Sequence, residues 1–475
     1  MKRKNFRIIQ AMIILILLIF ILFSANWAET YYIDISVGKD SNIGTSENAA
    51  FRTIQRAADI MVSGDTCLVL DGNYEERVQI SNSGRLNEPI VYQAIYSAVT
   101  KGFRIKADYI HIIGFEITET PAITGWGYSQ RTLGTGIFVE GKYCKIHSNN
   151  IHDIPCIGID IYVHEPDFPS TSYCDIVDNK IKRAGLCGIN IRGKNHKIFN
   201  NDISHILMYP PAWADPPSTA DADGIRFFGS GHSFRNNYIH DILQNANDPH
   251  IDFFQTWETA YDIIFEQNLC INPNTSGSNQ IVMVSATSEL VENLLFRNNI
   301  FVMYDPGYSP MNFMCISADG GIVSNIKIVN NTFIHPNSMG YHAIWFKNVN
   351  NIFVKNNIFY NYGSNGYSYI NFENVNGIAV GYNCIFKTDG VPPSDGPFPN
   401  DFWMIDPKFM DLENYDFHLK SESPIIDSGI NLLEVSNDFD GNSRPNGDFS
   451  EIGAYEYYDE SPLPPRNIKV FTKDE

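Results

Sequence analysis

The sequence predicts an all-β solenoid, a parallel β-helix of about ten coils. Between residues 140 and 390 one pattern recurs about every 29 residues, a period typical of solenoids. It consists of alternating apolar residues, an asparagine, any residue, and an aliphatic or aromatic residue. The asparagines that align in this pattern are Asn149, Asn179, Asn201, Asn237, Asn268, Asn299, Asn331, Asn357 and Asn383.

Short strands make up each repeat. Segments such as 158–162 (GIDIY) and 325–329 (NIKIV) alternate with period two and are rich in β-branched residues. No long helical pattern separates them, which excludes leucine-rich and helical repeats. An asparagine at the same turn of every coil can donate to one neighbouring coil and accept from the other, roughly 4.8 Å away. We therefore interpret the asparagines as structural.

The two ends of the solenoid need covering, because an exposed strand edge pairs with other chains. Phe51, Ile54, Ala58 and Met61 lie on one face of a predicted short helix, an N-terminal helix cap. The segment 406–458 departs from the asparagine pattern and is predicted to form a C-terminal β cap. We divide the chain into residues 1–28 (signal peptide or anchor), 29–107 (N-terminal cap and first coils), 108–390 (β-helix repeats), 391–458 (C-terminal cap segment) and 459–475 (Pro-rich linker or tail).

The amino terminus predicts export. Four basic residues precede the apolar run 8–23, and small residues follow up to Ala28, where a signal peptidase would cut. An uncleaved membrane anchor is the alternative. Either way we expect a secreted, extracellular or cell-surface protein, with a periplasmic location also open.

The charge balance limits the partners. The 475 residues include 34 Lys+Arg against 54 Asp+Glu, a formal net charge of −20. Nucleic acid and anionic membrane surfaces need a basic stripe, so both are excluded as partners. We expect a monomer that engages a polysaccharide.

Three stretches carry a family resemblance. The opening 31–80 resembles the start of extracellular right-handed parallel β-helix proteins, and the following coils are similar to the pectate-lyase-like superfamily. The stretches 415–430 and 438–457 resemble the C-terminal segment of many such proteins. The resemblance implies a right-handed helix. It implies no single activity, since this architecture hosts lyases, hydrolases and adhesins.

Polar residues concentrate on the strands that open four consecutive coils. We align these strands as 158–162, 188–192, 224–228, 250–254 and 280–284. In that alignment one outward column contains Asp160, Asn190, Arg226, Asp252 and Val282, and a second contains Tyr162, Arg192, Phe228, Phe254 and Val284. Polar groups clustered on a rigid sheet face predict a functional site.

Long insertions surround the same region. The segments 119–135, 163–173 and 207–222 carry aromatic residues, and insertions of that length in a compact solenoid are usually functional. Aromatic rings beside polar groups suit a sugar, whose C–H face packs on a π surface. The residues predicted to bind the polysaccharide are Trp126, Tyr162, Asn190, Arg192, Trp213, Gln255 and Trp257.

The candidate catalytic residues lie in two segments, 221–226 and 249–255. They are Asp223, Arg226, His250 and Asp252. In a calcium-dependent lyase, the ion would acidify the C5 proton of a uronate, and His250 or Arg226 would remove it before β-elimination. The carboxylates predicted to hold Ca²⁺ are Asp160, Asp221, Asp223 and Asp252.

A further resemblance concerns residues 221–224, which are similar to a calcium-binding strand of family 9 pectate lyases. Those enzymes use a lysine base on a nearby later coil. Residues 268–292 contain no Lys or Arg, so the resemblance assigns no base here.

Two alternatives to the lyase stay open. Two carboxylates, Asp223 with Asp252 or Asp160 with Asp252, suit a glycoside hydrolase, in which their separation sets the stereochemistry. A non-catalytic glycan binder or surface protein would carry the same polar ladder. We expect Asp223 and Asp252 to point outward.

Two of the eight cysteines fall at the same register in adjacent coils. Cys144 and Cys174 are spaced as a disulfide tolerates, but stacked buried thiols fit equally well.

Overall fold

The computed structural model describes residues 28–125, 127–162, 171–206, 223–242, 251–272, 279–303, 314–336, 341–364 and 366–459. Within them three long parallel sheets wind into a right-handed β-helix, which confirms the predicted fold class. Each coil contributes one strand to each sheet in the order sheet A, sheet B, sheet C.

Sheet A contains Thr30–Ile33, Thr66–Val69, Ile90–Ala94, Ile110–Ile113, Lys145–His147, Asp175–Val177, Lys197–Phe199, Ser233–Arg235, Ala260–Glu266, Leu290–Arg297, Ile322–Val329, Val349–Lys355 and Asn376–Gly381, with the short strand Gly229–Ser230 paired beside it. Sheet B contains Gly72–Tyr74, Ala98–Thr100, Glu116–Ile117, Asn150–Ile154, Lys180–Ala184, Asp202–Ser204, Tyr238–His240, Leu269–Asn272, Ile300–Met303, Thr332–Ile334, Ile358–Tyr360, Cys384–Phe386 and Phe402–Trp403. Sheet C contains Val78–Ile80, Phe103–Ile105, Ile137–Val139, Ile157–Ile161, Cys187–Ile191, Asp223–Phe227, Ile251–Thr256, Asn279–Ala286, Met314–Ala318, Ile344–Lys347 and Ile370–Glu373.

The interior of the helix is a continuous apolar stack. In the strand Ile157–Ile161, Ile159 and Ile161 join the central core and pair with Ile189 and Ile191 of the next coil. The same inward positions repeat in every coil, so each coil buries its apolar side chains only by stacking on its neighbours.

The asparagines form the predicted ladder. The Nδ2 of Asn149 donates to Oδ1 of Asn179 at 3.0 Å and to the backbone carbonyl of Ile112 at 3.1 Å. The same amide-to-amide bond links each following pair as far as Asn383. The ladder ends at Asp401, whose Oδ1 accepts from the backbone N–H of Asn383 at 2.9 Å. Burial raises the pKa of Asp401 above its ordinary value.

The predicted N-terminal helix is present as α1, Ile54–Ile60. It buries Ile54 and Ala58 against the first coils, and Phe51 and Met61 join the same core. The carboxylate of Glu76 accepts from the backbone N–H groups of Ile54 and Gln55, so it neutralises the helix N-terminus. Two further helical segments are the 3₁₀ turn Glu47–Ala49 and α2, Tyr128–Gly134.

The segment 406–458 runs along the side of the solenoid. It contains the antiparallel pair Phe409–Asp411 and Asp416–Leu419, and it packs on the outer face of sheet B. Side-chain amides from four coils hold its backbone: Gln267 donates to Asp438, Asn298 to Asn437, Asn330 to Glu451 and Asn356 to Ile430. This flanking position differs from the terminal cap that the sequence predicted.

The cysteines are thiols. All eight are free and buried, including Cys144 and Cys174, whose Sγ atoms contact backbone carbonyls. Of the two alternatives for this pair, the structure shows stacked thiols.

The predicted signal segment lies outside the described residues, apart from Ala28. Across the part of the chain that the structure describes, there is no helix with the length and apolar character needed to cross a bilayer.

Replacing Asn268 by Ala is expected to destabilise the protein by about 3 kcal/mol or more, since each unsatisfied buried group costs about 1–3 kcal/mol. Asn268 is fully buried, and its amide bonds Asn299, Phe234 and Asn237. Urea unfolding followed by circular dichroism measures the change. The control Asn376→Ala removes an exposed asparagine that bonds Asn350, and it should leave the midpoint nearly unchanged. Equal effects of the two substitutions would contradict the role of the ladder.

A second stability prediction concerns pH and His418. Burial alone would lower the pKa of His418, but its hydrogen bonds to Asp416 (2.6 Å) and Asp440 (2.9 Å) outweigh burial and raise the pKa to about 9. The resulting stabilisation, about 3 kcal/mol, is complete below the unfolded value near 6.5 and is lost as pH rises through 9. Unfolding free energy should therefore fall between pH 7 and 10. The fall should be smaller in His418→Gln, and an equal fall in both proteins would contradict the assignment.

Candidate active site on sheet C

The register of sheet C defines three columns of side chains on the face predicted to hold the site. In the first column Asp160 pairs with Asn190, Asn190 with Arg226, Arg226 with Gln255, and Gln255 with Met283. The predicted alignment is therefore wrong beyond Arg226, where Gln255 and not Asp252 continues the column. The strand is shifted by three residues, because Ile225 pairs with Phe254 where the predicted alignment placed Ile251.

Phe254 lies in the core opposite Ile225, and Val282 and Val284 are also core residues. The expected outward positions of these three residues are thus corrected.

The second column is a stack of rings and a guanidinium. Tyr162, Arg192, Phe228 and Trp257 each follow the last residue of a sheet C strand. The guanidinium of Arg192 lies 5.1 Å from the Tyr162 ring and 4.2 Å from the Phe228 ring. Phe228 meets Trp257 edge-to-face at 4.8 Å. Trp257 is 36% exposed and presents the accessible end of the stack.

The third column places Asp223 and Asp252 in adjacent coils, as the sequence predicted, although the predicted alignment had put Asp252 in the first column. Asp223 pairs with Cys187 of the preceding coil, and Asp252 pairs with Gln280 of the following one. The backbone N–H of Asp252 donates to Oδ1 of Asp223 at 3.1 Å. Both candidate catalytic carboxylates therefore lie in adjacent coils of one column.

The three described candidate carboxylates are completely buried. Asp160, Asp223 and Asp252 each have 0% relative exposure. The expected outward direction of Asp223 and Asp252 therefore does not expose them to solvent, because other residues cover both side chains. A buried carboxylate needs a partner, and arginines supply it for Asp160 and Asp223.

Two arginines make buried ion pairs. Nε of Arg226 donates to Oδ2 of Asp223 at 2.5 Å, and its guanidinium lies 5.4 Å from the Trp257 ring. Nη2 of Arg131 donates to Oδ2 of Asp160 at 2.7 Å, while Asn190 donates to the other oxygen at 2.7 Å. Burial alone would lower the pKa of Arg131, but the charge of Asp160 raises it.

Two further arginines pair with more accessible carboxylates. Arg192 makes two hydrogen bonds to Glu258, one of them at 2.9 Å. Arg104 donates to Glu140 at 2.9 Å and to the hydroxyl of Tyr128 at 3.0 Å. Burial would lower the pKa of Arg104, but the hydrogen bond that Arg104 donates to Glu140 raises it.

Sequence reasoning missed Arg131, Arg104 and Glu258. Arg131 lies in α2, within the insertion 119–135 that was predicted to surround the site. Its place in this insertion is the signal that the sequence offered. Glu258 follows Trp257 directly, but nothing in the sequence places it on an arginine two coils away.

Three of the four predicted calcium ligands, Asp160, Asp223 and Asp252, lie in the part of the chain that the structure describes. Among the described residues no group of three His, Cys, Asp or Glu side chains that could hold a metal ion occurs. Both oxygens of Asp160 are hydrogen-bonded to Arg131 and Asn190, and Oδ2 of Asp223 is bonded to Arg226. Four predicted site residues, Trp126, Trp213, Asp221 and His250, lie outside the described residues.

Comparisons with known proteins bear on the fold. The structure is similar to pectate lyase Pel9A, with a TM-score of 0.50 and 16% identity over 92% of this chain and 98% of that one. It is also similar to XylC in its complex with xylose, with a TM-score of 0.56 and 15% identity over 90% and 98% of the two chains. The chain has the fold of the pectate-lyase-like β-helix proteins. No protein-family model matches the sequence. A search of curated proteins finds no match.

Replacing Asp223 by Ala is expected to lower the unfolding free energy by about 3 kcal/mol, because it removes the buried carboxylate to which Nε of Arg226 donates. Urea unfolding measures the loss. The control Glu373→Ala removes an exposed carboxylate from the last strand of sheet C and should change little. An Asp223→Ala protein as stable as the wild type would contradict the buried ion pair.

Proposed function

We propose that this protein is a polysaccharide lyase that cleaves an acidic glycan along the outer face of sheet C. The observation that carries the proposal is the row of arginines on this face of a chain with net charge −20. The row consists of Arg104, Arg131, Arg192 and Arg226. Each of these arginines is paired with a carboxylate of this chain, so a uronate binds the row by replacing an accessible partner, which the matching geometry of guanidinium and carboxylate allows.

The aromatic stack supports a sugar ligand. Trp257 is partly exposed and Tyr162 lies in the same column, so a sugar ring can pack on aromatic surface while arginines bind its carboxylates. The similar structures add to this: one is a pectate lyase and the other was solved in complex with xylose. At their low identity they support the fold, and the activity rests on the arginines.

Arg226 has one role in this mechanism. Its ion pair with Asp223 keeps the guanidinium protonated, so it does not serve as the base that removes the C5 proton. A fixed positive charge at this position stabilises the negative charge that develops on the uronate as the proton leaves. Asp223 therefore orients Arg226.

The base is His250 in this proposal. It directly precedes the strand Ile251–Thr256, which carries Asp252 and Gln255. Imidazole titrates near neutral pH and suits proton abstraction. The calcium-dependent lyase predicted from the sequence is the alternative form of this proposal, in which Asp160, Asp221, Asp223 and Asp252 would hold Ca²⁺.

A glycoside hydrolase is the second candidate, favoured by the juxtaposition of Asp223 and Asp252. Neighbouring parallel strands lie roughly 4.8 Å apart, near the 5–5.5 Å carboxyl separation of retaining enzymes. In this alternative one carboxylate protonates the leaving oxygen and the other attacks.

A polysaccharide panel with residues 29–475 distinguishes these activities. The lyase should produce ultraviolet absorbance from a new C4–C5 double bond together with new reducing ends, and only on uronate polymers. Chelator should leave both signals unchanged, and their loss would instead support a calcium lyase. Reducing ends without absorbance would support the hydrolase. Neither signal across the panel would contradict both activities and favour the glycan binder.

Substituting Arg226 by Gln should lower turnover of the acidic polymer by about 10²-fold or more, because removing one group that stabilises developing charge costs this much. The control Arg235→Gln makes the same change on sheet A, away from the site. It should keep wild-type turnover. Wild-type turnover by Arg226→Gln, with its fold verified by circular dichroism, would remove Arg226 from the mechanism.

A further inference from the structure

Arg192 is held in a fixed orientation on the proposed substrate face. Its guanidinium lies between the rings of Tyr162 and Phe228, at 5.1 and 4.2 Å from their centroids. Phe228 is only 3% exposed. The stacking fixes the plane of the guanidinium, and its hydrogen-bonding edge therefore points in one direction.

That edge is occupied by Glu258. Nη1 of Arg192 bonds Oε2 and Nη2 bonds Oε1, a bidentate pair. Glu258 follows Trp257, two coils further along the stack, and its side chain is 39% exposed. The carboxylate thus reaches the arginine across the intervening coil of Phe228 and remains open to solvent.

The other arginine pairs on this face are different. Asp160 and Asp223, the partners of Arg131 and Arg226, have fully buried side chains and lie on the sheet itself. Separating such a pair leaves a buried charge uncompensated. The side chain of Glu140, the partner of Arg104, is 18% exposed and also bonds the hydroxyl of Tyr128. Glu258 is the most accessible of the four carboxylates, and an exposed ion pair is weakly held.

We infer that Glu258 is an internal competitor, which occupies the carboxylate-binding edge of Arg192 until the carboxylate of an acidic sugar displaces it. The inference rests on the proposed function, because it assumes a uronate ligand on this face. A uronate carboxylate has the same planar, two-oxygen geometry as that of Glu258, so it can take over both hydrogen bonds. The released Glu258 then returns to water.

This exchange has a consequence for selectivity. A neutral sugar cannot replace the two charged hydrogen bonds, so it gains nothing at Arg192. An acidic sugar binds only when Glu258 is released from Arg192. Its apparent affinity is therefore reduced in proportion to the fraction of time for which Arg192 is unoccupied. Glu258 therefore lowers the affinity for acidic glycans and leaves that for neutral glycans unchanged.

Calorimetric titration of the full chain with tetragalacturonate and with neutral xylotetraose tests the inference. Glu258→Gln removes the competing charge and keeps the side-chain size. It should bind the acidic probe about threefold to tenfold more tightly than the wild type does, with no change for xylotetraose. The control Glu434→Gln makes the same charge change at the ion pair with Lys327 on sheet A, and should match the wild type. In an Arg192→Gln background, Glu258→Gln should have no effect.

Each other result overturns the inference. Equal or weaker binding of the acidic probe by Glu258→Gln would show that Glu258 does not compete. Tighter binding of both probes would show a general change unrelated to carboxylate exchange. Absence of acidic-probe binding by every form would overturn the proposed function as well, whereas binding that is identical in wild type and Glu258→Gln would overturn this inference alone.

Discussion

The hydrogen bonds between stacked asparagines are the constraint on which the rest of this structure depends. Each amide bonds both neighbouring coils, so it fixes the distance and the register between them at a buried turn. Side chains alternate between the two faces of a strand, and a slip of one residue would turn the core of a coil outward. With the register fixed, a column on sheet C keeps its order over many coils. Arg192, Phe228 and Trp257 can stack only because three coils are aligned in this way.

The sequence was sufficient to predict the fold because the same asparagine pattern recurs nine times. The asparagine spacing predicted the ladder, and the period of two predicted strands, without knowledge of any tertiary contact. Part of the site was also predictable. Asp223 and Asp252 each lie near the start of a predicted strand, and these strands belong to adjacent coils. Their burial was not predictable, because it depends on what packs over them.

The remaining part of the site depends on contacts between coils. The segment 250–254 contains consecutive phenylalanines that both enter the core, and only the pairing of the strands places Phe254 opposite Ile225. Arg131 reaches Asp160 from a helix inside an insertion, and Glu258 reaches Arg192 from two coils away. Periodicity describes what every coil shares. These contacts break the repeat, so the sequence pattern carries no information about them.

The flanking segment 406–458 changes how the solenoid behaves as a linear array. In a simple solenoid each coil contacts only its neighbours, so unfolding can begin at either end and proceed one coil at a time. Here the amides of Gln267, Asn298, Asn330 and Asn356 are all bonded to one continuous length of backbone. Loss of one of these coils therefore disturbs the anchoring of the other three. We therefore expect the C-terminal half to unfold as a single cooperative unit. The coils that carry the arginines lie next to this unit and not next to an end of the solenoid that unfolds one coil at a time.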